Sequence, residues 1–230
     1  AMTDAGKALA EYTLMGITNT DWEDLAVGPG PSDGSFIYVA DIGDNAARTG
    51  GTARTEIQVL RVAEPDISTT QALAQKTLSG VEVLRFTYPD KAHDAEALMV
   101  DPVSHDLLIA TKESDGTTVI FRAPGDTPVD TPTKLEKVTS VQVGASGMDT
   151  QVSAGDASPS GDRFALRTYG NVLMWPRAAT FVATFSAMPK TLPGDDGPQS
   201  EGLTFSADGT SLISSGERAR TIYESKSACK

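Results

Sequence analysis

Cysteine, histidine and long apolar runs are all scarce in this sequence. Its 230 residues include one cysteine, Cys229, and two histidines. A single thiol excludes an internal disulfide framework, and so few imidazoles disfavour a transition-metal centre built on histidine. No stretch reaches the roughly 20 consecutive apolar residues that a membrane-spanning helix needs. We therefore expect a chain that does not insert into a membrane.

Basic residues are also few, and they are scattered. The 19 Lys and Arg stand against 31 Asp and Glu, which gives a formal net charge of −12. A surface of this sign repels nucleic-acid phosphates, so no nucleic-acid partner is expected. The first residues also lack the basic segment and apolar run of a signal peptide. With 39% hydrophobic residues, the chain is long enough for one domain spanning residues 1–230.

Helical periodicity is almost absent, and a short acidic–apolar pattern recurs instead. Each copy leads into a turn rich in Asp, Ser, Gly or Pro and then into an apolar strand, which is the chemistry of β-hairpins. The four copies are "DWEDLAV", "DAEALMV", "AGDASPS" and "QSEGLTF". Third strands follow in each unit, and "VEVLRFTY", "KVTSVQV" and "TFVATFSAM" are candidate fourth strands. The pattern predicts an all-β protein made of repeated four-stranded units.

The spacing of these units predicts a small β-propeller. Four blades arranged radially leave only short, protected sheet edges. The last unit lacks an outer strand, and Ala10 to Ile17 at the other terminus is available to close the last blade and the ring. A five-bladed ring, with a degenerate unit between Asp126 and Gln151, is the main alternative, and a twisted β-sandwich is the third.

Four acids occupy equivalent positions in the repeats, and their crowding raises an electrostatic question. If the first strand of every blade lines the channel, these side chains meet near the axis; they are Glu23, Glu96, Asp156 and Glu201. Each pair of like charges costs about 4 kcal/mol at 4 Å and an effective dielectric near 20. Shared protons or a hard cation such as Ca²⁺ would offset this repulsion. The alternative is that each acid accepts backbone hydrogen bonds at its own blade junction.

A second set of polar residues lies close by, at the ends of the second strands or two residues before the repeated acids. Asp21 and Asp94 share the strand faces of Glu23 and Glu96, and with Glu217 they are candidate general bases. The candidate ligand-binding residues are Asp41, Asp44, Lys112, Arg167 and Tyr169. Lys112 and Arg167 either hold an anionic ligand or neutralise the acids directly as buried ion pairs. Trp22 and Trp175 are expected to pack inside the propeller.

The strings "DWEDLA", "YVADIGDN", "VLRVAEP", "GDASPSGD", "ALRTY" and "QSEGLTF" together resemble a largely uncharacterised group of exported bacterial β-propeller proteins. The likeness extends from about Gly16 to Glu224. More distantly, the chain looks like phytase-like and gluconolactonase-type propellers, which bind a divalent cation on the axis. The resemblance implies an exported, extracellular or periplasmic protein, with a cytoplasmic one as the alternative. It implies Ca²⁺ at Glu23, Glu96, Asp156 and Glu201.

Two functions of different class follow as expectations. In the first, the propeller binds a small anionic ligand and acts as a metal-dependent hydrolase of a phosphoester or a lactone. In the second, it is a non-catalytic scaffold, with a structural cation or none, that binds a small molecule or an extracellular protein. A monomer without nucleotide or organic cofactor is expected in both.

Overall fold

A computed structural model describes residues 1–3, 6–70, 72–194, 200–216 and 221–226. The first nine strands are β1 (Ala10–Leu14), β2 (Trp22–Pro29), β3 (Ser35–Asp41), β4 (Ile57–Ala63), β5 (Ala74–Leu78), β6 (Glu82–Thr87), β7 (Ala95–Val100), β8 (Leu107–Thr111) and β9 (Thr117–Ala123). The next nine are β10 (Thr133–Lys134), β11 (Glu136–Gln142), β12 (Val152–Ala157), β13 (Arg163–Thr168), β14 (Asn171–Pro176), β15 (Lys190–Pro193), β16 (Ser200–Phe205), β17 (Leu212–Gly216) and β18 (Ile222–Ser225). Two short helices, α1 (Asn45–Thr49) and α2 (Phe181–Ser186), and a 3-10 turn at Met148–Thr150 complete the elements.

The strands form four blades of a β-propeller. Blade one has the order β2-β3-β4-β6 with β10 added at its outer edge, and blade two has the order β7-β8-β9-β11. Blade three is β12-β13-β14-β15, and blade four is β16-β17-β18. Neighbouring strands within the blades are antiparallel, apart from the parallel pair of β6 and β10. The predicted all-β, four-bladed architecture is confirmed.

The hairpin turns explain why these short strands pair in register. In blade four, Asp208 accepts hydrogen bonds from the hydroxyl of Ser206 (2.6 Å) and from the N–H of Thr210 (3.0 Å). Gly209 between them has φ of 68°, a left-handed conformation that glycine adopts without a steric cost. The turn chemistry of Asp, Ser and Gly thus fixes where β16 ends and β17 begins.

The ring is not closed in the predicted way. β1 pairs in parallel with β5, with Ala10 opposite Ala74, and forms a separate two-stranded sheet. Blade four therefore has three strands among the described residues. The five-blade alternative is wrong, because the region from Asp126 to Gln151 supplies β10 and β11 to blades one and two.

The core lies between the blades. Among the described residues, one apolar cluster joins blades one and two, a second joins blades two and three, and a third joins blades three and four. Fully buried members include Leu98 in the first, Trp175 in the second and Ala165 in the third. Blades four and one instead face each other across an open cleft of about 650 Å³. Within the described ranges, no helix has the length and apolarity to cross a lipid bilayer.

Candidate functional site at the channel mouth

A β-bulge occurs near the beginning of the innermost strand of every blade. The pairing register shifts between Trp22 and Asp24, between Ala95 and Ala97, between Val152 and Ala154, and between Ser200 and Gly202. The extra residues at these shifts are Glu23, Glu96, Ser153 and Glu201. A bulge leaves its extra residue out of the ladder and re-aims the side chain. The repeat position in blade three is therefore Ser153, not Asp156.

Asp156 serves a junction between two blades. Its carboxylate accepts hydrogen bonds from the N–H of Phe205 (2.8 Å) and the hydroxyl of Thr204 (2.9 Å), both on blade four. Burial raises its pKa to about 6, although the hydrogen bond from Phe205 acts in the opposite direction. The hydrogen bonds of Asp156 to other blades thus run to blade four and not to the three glutamates. For this residue the blade-junction alternative describes the structure.

Four polar side chains form a chain of contacts around the mouth. Lys112 Nζ donates hydrogen bonds to Glu96 Oε1 and to Tyr169 Oη, the second at 2.9 Å. Tyr169 Oη in turn donates to Glu201 Oε1 at 3.1 Å. The side chains of Lys112 and Glu96 are 8% and 6% exposed. The alternative in which Lys112 neutralises the acids as a buried ion pair therefore matches the geometry.

Asp21 and Glu23 complete the mouth from blade one. Their carboxylates both lie against Gly43, where a Cβ atom would stand 2.3 Å from Glu23 Oε1 and 2.5 Å from Asp21 Oδ2. A side chain at position 43 would therefore displace these two carboxyl groups from their places. We define the mouth as the group of Asp21, Glu23, Glu96, Lys112, Tyr169 and Glu201.

The proton affinities of two mouth carboxyls differ from their ordinary values. Burial, followed by the charges of Glu96, Asp21 and Asp94, raises the pKa of Glu23 to about 9, while Lys112 lowers it in part. Burial also raises the pKa of Glu96 to about 7, although its bond to Lys112 acts in the opposite direction. Glu23 is therefore a protonated carboxylic acid at neutral pH, and Glu96 titrates near neutrality.

Three predicted site residues lie behind the mouth and hold a loop in place. Asp94 accepts the N–H of Asp44 (2.8 Å) and Arg48 Nε (3.1 Å). Asp44 accepts the N–H of Arg54 at 2.7 Å, and Asp41 accepts Arg54 Nη1 at 3.0 Å. All three carboxylates are thus engaged with the segment that carries α1. The sequence pattern did not single out Arg48 or Arg54, which lie outside the repeated strands.

The remaining predicted residues are dispersed. Arg167 is 1% exposed, and its Nε donates to the carbonyl of Ser200 at 3.2 Å, so it joins blade three to blade four. Trp175 is buried as expected, whereas Trp22 is 39% exposed. Glu217 lies outside the described residues.

The mouth does not fit the predicted axial cation. In the part of the chain that the structure describes, no group of three or more His, Cys, Asp or Glu side chains is arranged to hold a metal ion. The carboxylate of Glu96 is bonded to the Lys112 ammonium, and that of Glu201 accepts the Tyr169 hydroxyl. The Lys112 ammonium group thus supplies the positive charge that a metal ion would have supplied.

Comparisons with known proteins identify the fold at low sequence identity. The chain is similar to the periplasmic gluconolactonase of Pseudomonas aeruginosa, with 14% identity, a TM-score of 0.50, and coverage of 86% of this chain and 52% of that one. A candidate 6-phosphogluconolactonase of Bacteroides fragilis matches with 12% identity, a TM-score of 0.49, and coverage of 88% and 49%. Hydrazine synthase of Kuenenia stuttgartiensis also matches, with 14% identity, a TM-score of 0.44, and coverage of 91% and 47%.

The chain spans about half the length of these matched proteins. No family model matches the sequence, and no curated protein matches it either. The solved structures that match this chain thus include a gluconolactonase. The resemblance to an exported bacterial family stays a prediction. A shared fold does not assign a function.

Proposed function

We propose that the mouth binds a small neutral lactone and hydrolyses its ester bond. The observation that carries the proposal is that the bulges of two blades bring Glu23 and Glu96 to the same mouth, where burial raises their pKa values to about 9 and about 7. Two acids separated in this way divide into a proton donor and a proton acceptor at neutral pH. Carboxyls with perturbed pKa values are also common at active sites.

The two carboxyls would act on opposite sides of the reaction. Ionised Glu96, held by Lys112, accepts a proton from a water molecule. The oxygen of this water attacks the lactone carbonyl carbon at the same time. The C–O bond of the ring then breaks, and the protonated Glu23 gives its proton to the leaving alkoxide oxygen. Transfer of the proton from Glu96 to Glu23 restores the starting state. One water is consumed, and the product is a hydroxy acid.

The charge of the mouth favours a neutral substrate over the predicted anionic one. Lys112 is the mouth's one basic side chain, and it is already bonded to Glu96 and Tyr169. A phosphoester would meet the carboxyl groups of Asp21, Glu23 and Glu201 without a cation of its own. A lactone carries no charge on entry. Its product is a carboxylate, which the same acids repel, so that release is favoured.

The likeness to a gluconolactonase suggests the first substrate to test but does not assign it. δ-Gluconolactone, γ-butyrolactone and p-nitrophenyl phosphate are compared with the wild-type protein, by pH-stat for the lactones and by absorbance for the phosphoester. Each assay is repeated with EDTA. We expect lactone hydrolysis that EDTA leaves unchanged and no phosphoester hydrolysis.

Glu23→Gln keeps the shape of the proposed donor and removes its proton. We expect its kcat to fall at least about a hundredfold, the usual contribution of a general acid. Asp33→Asn, on an exposed hairpin loop, is the matched control and should retain wild-type activity. Full activity in Glu23→Gln would refute the proposed chemistry. Lactone binding without turnover in the wild type would instead identify a non-catalytic ligand-binding propeller.

A further inference from the structure

The open cleft between blades one and four begins at the mouth. Glu23 and Glu201 belong to both, and beyond them the lining is mostly apolar. The apolar side chains along the cleft are Trp22, Leu25, Val27 and Val39 from blade one, and Leu203, Ile213 and Ile222 from blade four. The cleft thus has a polar, acidic end at the mouth and a mostly apolar remainder, in which Asp24, Thr204, Ser214 and Ser215 are the polar side chains.

The exposure of these side chains differs from that of their counterparts in blade two. Leu25 in blade one and Leu98 in blade two occupy the same place in the repeated pattern. Leu98 is fully buried between blades one and two, whereas Leu25 is 56% exposed. Val27 is 50% exposed and Ile222 is 47% exposed. Blade one therefore presents to the cleft the apolar face that blade two buries, and a contiguous exposed apolar patch of this kind marks a binding surface.

The size and charge of the cleft define its occupant. A volume of about 650 Å³ lies in the range of small-molecule sites. The acidic end disfavours an anionic head group, and the mostly apolar remainder favours an alkyl chain. We propose that the cleft binds the alkyl tail of a lactone whose ring lies at the mouth. The position of the lactone ring rests on the proposed function. The position of the tail rests on the cleft alone.

Trp22 provides a direct optical measurement of tail binding. It lines the cleft, while Trp175 is fully buried with its Nε1 bonded to the carbonyl of Ala187 at 3.0 Å. Tryptophan fluorescence is titrated with γ-butyrolactone, γ-octalactone and γ-dodecalactone. We expect a blue shift and a Kd that falls about threefold for each added methylene. Dodecanoate, with a similar chain but an anionic head, should bind at least about tenfold more weakly than γ-dodecalactone.

Substitutions in the cleft separate tail binding from folding. Leu25→Asp places a charge on an already exposed position and should weaken γ-dodecalactone binding at least about thirtyfold. Met188→Asp, at a residue that is 93% exposed outside the cleft, is the matched control and should leave binding unchanged. Trp22→Phe should abolish the fluorescence change but preserve the heat of binding in calorimetry.

The outcomes distinguish this inference from the proposed function. Binding that follows chain length without any turnover supports the cleft assignment and refutes the hydrolase. Turnover that changes neither with the chain length of the lactone nor with the Leu25→Asp substitution supports the hydrolase and refutes the cleft assignment. Light scattering tests the competing occupant, a second copy of the chain. A dimer that Leu25→Asp dissociates would overturn the assignment, and so would equal affinity for all three lactones.

Discussion

The carboxylate of Asp24 on blade one accepts a hydrogen bond of 3.1 Å from the N–H of Gly155 on blade three. The same oxygen accepts the N–H of Leu98 on blade two at 2.8 Å. One side chain therefore links the innermost strands of three blades at the axis. It satisfies two backbone donors that no neighbouring strand reaches, because each lies on the channel side of its own sheet.

Removing this carboxylate should destabilise the whole propeller. In Asp24→Ala, the N–H groups of Leu98 and Gly155 lose their acceptor while they remain buried. We expect the free energy of unfolding to fall by about 2–4 kcal/mol, since each unsatisfied donor costs about 1–3 kcal/mol. Urea denaturation followed by circular dichroism measures the change. Asp33→Ala on the exposed loop should stay within about 0.5 kcal/mol of the wild type, and an equal loss in both variants would contradict the assigned role.

The raised pKa values predict that alkaline conditions weaken the fold. Glu23, Glu96 and Asp156 have folded-state pKa values of about 9, 7 and 6, above the ordinary values of about 4 that apply to the unfolded chain. Their protonated forms stabilise the folded state fully below about pH 4, and this contribution is lost as the pH rises through about 6 to 9.

The melting temperature should therefore be several degrees lower at about pH 9 than at about pH 5. Differential scanning calorimetry across this range tests the direction. Glu23→Gln removes a group with a folded-state pKa of about 9, so its curve should be flatter between about pH 7 and pH 9. A wild-type melting temperature that rises with pH over the same range would show that the mouth carboxyls ionise without cost.

The proposed chemistry predicts a bell-shaped pH dependence of kcat/KM. Activity requires Glu96 ionised and Glu23 protonated, so it should rise through about pH 7 and fall through about pH 9. Glu23→Gln should leave a small residual rate without the alkaline limb. An alkaline limb that persists unchanged in this variant would assign that limb to another group.

The axial cation predicted from the sequence can be tested against the ammonium of Lys112. We expect Ca²⁺ to leave the melting temperature of the wild type unchanged. In Lys112→Met the acids lose their cationic partner, and the unfolding free energy should fall by about 3 kcal/mol. Added Ca²⁺ should then restore part of the lost stability, since it is a hard cation that carboxylates bind. Stabilisation of the wild type by Ca²⁺, reversed by EDTA, would favour the cation over the ammonium.

The repeated strands were predictable because their signals are local. Alternating apolar residues and the Asp, Ser and Gly of the turns specify hairpins over a few residues, and these hairpins are the blades. One local signal misled. "TFVATFSAM" is apolar enough for a fourth strand, yet Phe181–Ser186 is helix α2, in which Thr180 caps the N–H of Ala183 at 3.1 Å. Phe181 and Phe185, one helical turn apart, pack on Phe164.

The acid register was predicted only in part. Glu23, Glu96 and Glu201 do occupy the same bulge position, in blades one, two and four. In blade three, the residue at this position is Ser153. A bulge adds one residue to one strand, and its place depends on the partner strand rather than on the sequence of the bulged strand alone. The sequence alignment of Asp156 with the glutamates was therefore displaced by three positions from the bulge residue Ser153. The role of Asp24 could not be predicted for the same reason.

The amino-acid sequence by itself determined the strands, the turns and the fourfold repeat, since hydrophobic alternation and turn chemistry act between neighbours in the chain. Only the tertiary structure decided which acids meet. The contacts of Lys112 with Glu96, of Tyr169 with Glu201, and of Asp24 with Gly155 join residues 16, 32 and 131 positions apart. It also decided that blade one faces an open cleft, because burial of an apolar face depends on which blade stands beside it.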